Sequence, residues 1–135
     1  MDVILDASAL LNNESFVFSK GKNYYATSLV FAEWKSFSQK ILAENAAQSG
    51  ILTVQDPCPL SISKTIMECE KSGTKLSDAD ISVVALSAEF RERGTKFIVI
   101  TDDYSIQNVL KKIKVDFSGV SQGEIKKTRN FKKKK

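Results

Sequence analysis

The chain has 135 residues, 42% of them hydrophobic, a formal charge of +4 and no histidine. That length is one domain with a core to bury. The missing imidazole removes Ser-His-Asp triads, histidine general bases and histidine zinc sites, and leaves carboxylates, hydroxyls, lysines or an oxygen-held metal for any catalysis.

The charge is an average over two unlike parts. Residues 126–135 hold seven of the 20 basic residues and no acid, so residues 1–125 carry 13 basic against 16 acidic groups, a net of −3. A basic end is either a solvated tail or an electrostatic arm for nucleic acid. No apolar run reaches membrane-spanning length. The start, MDVILDASALL, lacks the basic n-region of a secretory signal, and Cys58 and Cys69 make no metal spacing. A reduced, cytoplasmic setting is expected, with no membrane partner.

Val3–Leu5 is an apolar run ending at Asp6 and reads as a buried strand. Ser8 or Asp6 can cap a short helix through Leu11. Residues 20–23, with Gly21, form a turn, and Tyr24–Ala26 a short strand. Thr27 or Ser28 opens a helix expected to run to about Ala47, with Val30, Trp34, Phe37 and Ile41 as its buried stripe. Glu33 lies roughly 60° from the centre of that stripe, which commits it halfway to the interior. Ile51–Val54 is a further strand candidate; Asp56, Pro57 and Pro59 break the pattern. Ser61–Ser72 reads as an amphipathic helix with Ile62, Ile66 and Cys69 on one side, closed by Gly73.

Ser77-Asp-Ala-Asp80 has the form of a capping box opening a helix whose buried face is Ile81, Val84, Ala85 and Ala88. Phe97–Ile100 is apolar throughout, as expected of a strand covered on both faces of a parallel sheet. Thr101-Asp-Asp-Tyr-Ser105 turns into a helix containing Ile106, Val109 and Leu110, and Val115–Val120 can add a last strand. The alternation predicts an α/β fold: an α/β/α sandwich on a central, mostly parallel sheet of about four to five strands. Residues 1–122 make the domain and 123–135 a flexible basic tail.

Sites in such sheets lie beyond the carboxyl ends of the strands. Asp6 and Asp103 stand just past strand ends, Asp80 opens a helix, and Glu33 edges another. Gathered over one sheet edge, these carboxylates would repel unless a cation bound them. All-oxygen ligation suits one or two Mg²⁺ or Mn²⁺ ions, not zinc. Such a site suits phosphodiester hydrolysis. Ser8 and Thr101 can orient a carboxylate from behind. Taken singly, Asp80 completes a capping box, Asp102 or Asp103 caps the next helix, and Asp6 starts a turn. The conjunction of all four favours the metal reading, with Asp78 the first bystander.

The pieces Val3-Ile-Leu-Asp6-Ala-Ser8, Leu29-Val-Phe-Ala-Glu33, Leu76-Ser-Asp-Ala-Asp80 and Thr101-Asp-Asp103 together resemble the PIN-domain nucleases. The resemblance places the family's acidic positions on Asp6, Glu33, Asp80 and Asp103, as catalytic and metal-binding residues, and makes Asp78 and Asp102 secondary. Thr101-Asp-Asp-Tyr-Ser-Ile-Gln-Asn108, followed by Gly119-Val and Gly123-Glu-Ile-Lys-Lys, looks like the Nob subfamily. That implies a single-strand endoribonuclease trimming precursor small-subunit ribosomal RNA near its 3′ end. The subfamily's usual zinc ribbon, with paired Cys-x-x-Cys motifs, has no counterpart here. Lys126, Lys127, Arg129, Lys132, Lys133, Lys134 and Lys135 stand where it would begin and are candidate RNA contacts. A homodimer is compatible with this reading. The rivals are a toxin ribonuclease held by an antitoxin and a non-catalytic rRNA-binding assembly factor. A receiver domain would want an acidic pair after its first strand, and a haloacid-type phosphatase a second aspartate at Ser8.

Overall fold

Short apolar segments supply a parallel sheet of five strands, β1 (Asp2–Leu5), β2 (Asn23–Ala26), β3 (Leu52–Val54), β4 (Phe97–Ile100) and β5 (Phe117–Ser118), in the order β3-β2-β1-β4-β5. The computed structural model describes residues 1–11 and 16–120; the basic residues from Lys126 to Lys135 and the expected domain boundary lie outside the described residues. Asp2 pairs with Asn23 on one side and Phe97 on the other, so β1 is the middle strand. Ile4, Leu5 and Val99 are fully buried, which is why these strands read as unbroken apolar runs.

Among the described residues six helices accompany the sheet: α1 (Ser8–Leu11), α2 (Ser28–Glu33), α3 (Phe37–Gln48), α4 (Pro59–Ser72), α5 (Asp78–Glu92) and α6 (Tyr104–Lys112). None of the helices described is long and apolar enough to cross a membrane. From β1 the chain steps outward to β2 and β3, then returns across β1 to β4. The order of strands therefore reverses between β1 and β4, where open α/β sheets form their sites.

The single helix expected from Thr27 to Ala47 is two. Trp34 leaves helical geometry at φ −87°, ψ 81°, and Ser36 starts α3 with its own capping box to Gln39. The cause is tertiary: the Trp34 indole N–H donates to the Ala7 carbonyl at 2.9 Å, and the ring is 2% exposed. The break dissolves the expected stripe. Val30 and Trp34 are buried, but Phe37 is 82% exposed and Ile41 is exposed too; α3 buries Ala43 and Ala46 instead. On α4 the inward residues are Thr65 and Cys69, with Ile66 exposed. α5 is covered more widely than expected: Ser82, Val83, Leu86, Ser87 and Phe90 join Val84 and Ala85, while Ile81 and Ala88 are only half-buried.

Candidate active site

The ends of β1 and β4 are joined through one carboxylate. Asp6 is 4% exposed. Its Oδ2 accepts from the Ser8 hydroxyl at 3.0 Å and the Thr101 hydroxyl at 2.9 Å. Each hydroxyl oxygen accepts in turn from the turn after β4: Ser8 Oγ from the Asp102 N–H at 3.1 Å, Thr101 Oγ1 from the Asp103 N–H at 3.0 Å. The backbone closes the same seam, the Asp6 N–H donating to the Ile100 carbonyl at 3.1 Å. Ser8 and Thr101 thus both bond the Asp6 carboxylate and the turn after β4.

Burial pushes the Asp6 carboxyl above the usual aspartate range; the Thr101, Ala7 and Ser8 bonds pull it back, and the negative charge of Asp80 raises it further. Among the described residues its side-chain partners are hydroxyls, with no cation beside it. A carboxylate held in this way is costly in its charged form, and a cation is what would relieve it.

Asp80 completes the capping box of α5. Its N–H donates to Ser77 Oγ at 3.1 Å and its Oδ2 accepts from the Ser77 N–H at 3.2 Å. The plain reading of this residue is therefore realised, yet the box also fixes a second acid close enough for its charge to act on Asp6. Asp78, at the first position of α5, is exposed. Asp103 caps α6 with Oδ1, which accepts from the Ser105 N–H at 2.8 Å and the Ile106 N–H at 3.3 Å. Its Oδ2 has no hydrogen bond among the described residues. Asp102 is structural: Oδ1 accepts from the Val120 N–H at 2.8 Å, tying the chain after β5 to this turn. A Cβ on Gly119 would sit 3.0 Å from that same oxygen.

Glu33 is exposed at the last position of α2, so the expected half-burial is corrected. The helix break accounts for it, since the stripe Glu33 was to edge ends at Trp34. Its placement comes from two contacts that periodicity does not reveal. The Trp34–Ala7 bond pins the next residue beside the segment following Asp6. Thr27 Oγ1 and Ser82 Oγ, both buried, lie 2.7 Å apart and lock α2 to α5, the helix of Asp80. Ser82 is one of two serines, with Ser87, set among the apolar residues of α5, which was its one signal in the sequence.

The donor set fits a hard divalent cation: carboxylates and hydroxyls, no imidazole, and a buried acid with an acidic neighbour. No three acidic or cysteine side chains among the described residues are already drawn into a cage. Asp80 lies within electrostatic reach of Asp6, and Asp103 is linked to Asp6 through the Thr101 hydroxyl.

The family profile described as "PIN domain of ribonuclease" matches residues 3–90. The protein called Endoribonuclease Nob1 from Methanocaldococcus jannaschii is 35% identical over 118 residues, 87% of this chain and 56% of its own length. Its namesake from Methanothermobacter thermautotrophicus is 31% identical over 135 residues, 98% of this chain and 77% of its own length. This chain thus spans little more than half the length of the first and about three quarters of the second. In fold it is similar to the structure of VapBC-1 from nontypeable Haemophilus influenzae, with a TM-score of 0.62 over 90% of this chain and all of that one, at 13% identity.

Proposed function

We infer the chemistry from one premise: this chain belongs to the PIN-domain family of ribonucleases. On our reading it is an endoribonuclease that hydrolyses single-stranded RNA with Mg²⁺ or Mn²⁺. Its substrate is precursor small-subunit ribosomal RNA, cut near the 3′ end in the cytoplasm. The likeness to two proteins called Endoribonuclease Nob1 supports the substrate. The observation that carries the chemistry is Asp6, a carboxylate 4% exposed at the strand-order reversal, with hydroxyls and a neighbouring acid around it.

Asp6, Glu33, Asp80 and Asp103 would hold the cation. When bound it supplies positive charge against the scissile phosphate and makes water a better nucleophile. Ser8 and Thr101 fix the orientation of Asp6 from behind. Ser77 fixes Asp80. Asp103 spends Oδ1 on its helix and keeps Oδ2 for the site. A carboxylate of this set accepts the proton leaving the attacking water. Residues 1–122 form the nuclease unit, and the basic residues from Lys126 onward bind phosphate without regard to sequence.

The test is cleavage of a small-subunit rRNA 3′-end RNA against an unrelated RNA, with Mn²⁺, using wild type and Asp80→Asn. We expect selective cutting by wild type, none by the variant, and none in a chelator. An active Asp6→Asn/Asp80→Asn double variant would refute the site. Equal cutting of both RNAs would favour the toxin-type reading, and binding without cutting the assembly-factor reading.

A further inference from the structure

We propose that Tyr104 is the platform on which a base of the RNA, next to the scissile phosphate, stacks; this rests on the endoribonuclease reading above. Tyr104 is the first residue of α6 and is 79% exposed. Apart from Phe37, which opens α3 beyond the helix break, every other ring among the described residues is buried or half-buried. Tyr24 and Tyr25 pack against Phe18 and Phe90 respectively, so they are spoken for.

The position of Tyr104 gives its exposure a use. It follows Asp103 directly and lies three residues from Thr101, whose hydroxyl touches Asp6. Three trans peptide steps reach at most about 11 Å, which keeps the backbone of Tyr104 that close to the backbone of Thr101 at the edge of the site. Its backbone is also held. The next two N–H groups are both taken by Asp103, the Gln107 side chain donates to the Thr101 carbonyl at 2.8 Å, and Ile106 is fully buried beneath. A ring with two side-chain torsions on a held backbone loses little freedom when a base settles on it. With Asp103 occupying the Ser105 and Ile106 amides, the helix end is closed to phosphate, and the ring is what α6 offers to RNA. Stacking on a face common to all bases holds a single strand in register without selecting sequence.

The experiment uses the full chain and a single-stranded RNA oligonucleotide carrying 2-aminopurine at each position in turn. Tyr104→Ala should weaken binding and raise KM about 5- to 150-fold, the range that stacking one base implies, with kcat little changed. Tyr104→Phe should restore wild-type behaviour, because the ring and not the hydroxyl acts. The emission change of one 2-aminopurine position should be lost in Tyr104→Ala alone. An abasic nucleotide there should bring wild type down to the level of Tyr104→Ala and leave the variant unaffected. Unchanged binding, KM and emission in Tyr104→Ala would overturn the stacking role while leaving cleavage, and so the nuclease reading, intact. Loss of cleavage in every form, with the binding and emission differences present, would support the platform and sink the nuclease reading.

Discussion

Replacing Thr101 by valine keeps the shape of a fully buried, β-branched side chain and removes only its hydroxyl. That hydroxyl donates to Asp6 at 2.9 Å and accepts from the Asp103 N–H at 3.0 Å, so the change breaks two bonds and adds no cavity. A hydrogen bond to a charged acceptor contributes about 1.5–3 kcal/mol, and a polar group stranded in a partly buried site costs about 1–3 kcal/mol. Asp6 retains Ser8, and the turn can shift to re-solvate one amide, so we place the total at about 3 kcal/mol. In urea the midpoint should fall by on the order of 1–2 M with the slope unchanged, since the surface exposed on unfolding is the same. A double-mutant cycle with Asp6→Asn should return a coupling of about 1–2 kcal/mol, as expected of groups in contact. A loss below about 0.5 kcal/mol, ordinary for a surface change, would refute the bridging role of Thr101.

Asp6→Asn separates function from stability. Because burial raises the Asp6 pKa, the folded protein binds this proton more tightly than the unfolded chain. Stability linked to Asp6 is therefore greatest below the ordinary aspartate value of about 3.9 and declines as pH rises through its folded value. In chelator, Asp6→Asn should be more stable than wild type near neutrality and should lack that decline, read by urea melts across pH; it should also lose any rise in melting temperature produced by Mn²⁺. Ser77→Ala removes the Oγ half of the α5 capping box, leaves the backbone N–H of residue 77 to Asp80, and should cost about 1 kcal/mol by denaturant titration. Gly119→Ala presses a Cβ onto Asp102 Oδ1 and should cost about 1 kcal/mol with faster amide exchange at Val120, cleavage being retained. Deleting residues 126–135 should weaken RNA binding and flatten its salt dependence; equal salt slopes would remove the tail from the RNA contacts.

The sheet was legible because a strand covered on both faces has to be apolar along its length. Val3–Leu5 and Phe97–Ile100 announced themselves, and with them the carboxylates just beyond. The capping box at Ser77 was readable because its two partners lie three residues apart. The same signature stood at Ser36 and Gln39 but was outweighed by a helical stripe running through it. What ends α2 is a bond from Trp34 to a carbonyl 27 residues earlier, and no local pattern encodes that. The misplacement of Glu33 and Phe37 follows from the same contact. Asp102 and Asp103 could be ranked only by a resemblance; the bond that ties Asp102 to the Val120 amide, 18 residues away, is one no local pattern encodes.

The middle position of β1 has a consequence for how the protein is made. Asp2 pairs with Phe97, and Asp6 meets Thr101 95 residues later in the chain. At roughly 5–20 residues per second, β1 waits on the order of ten seconds on the ribosome before β4 emerges to cover its second edge. Over that interval β2 can guard one side, while the other presents unpaired amides and carbonyls to any passing strand. The acids of the proposed site come together only when that wait ends, so a nascent chain shorter than about a hundred residues has no assembled centre with which to cut RNA.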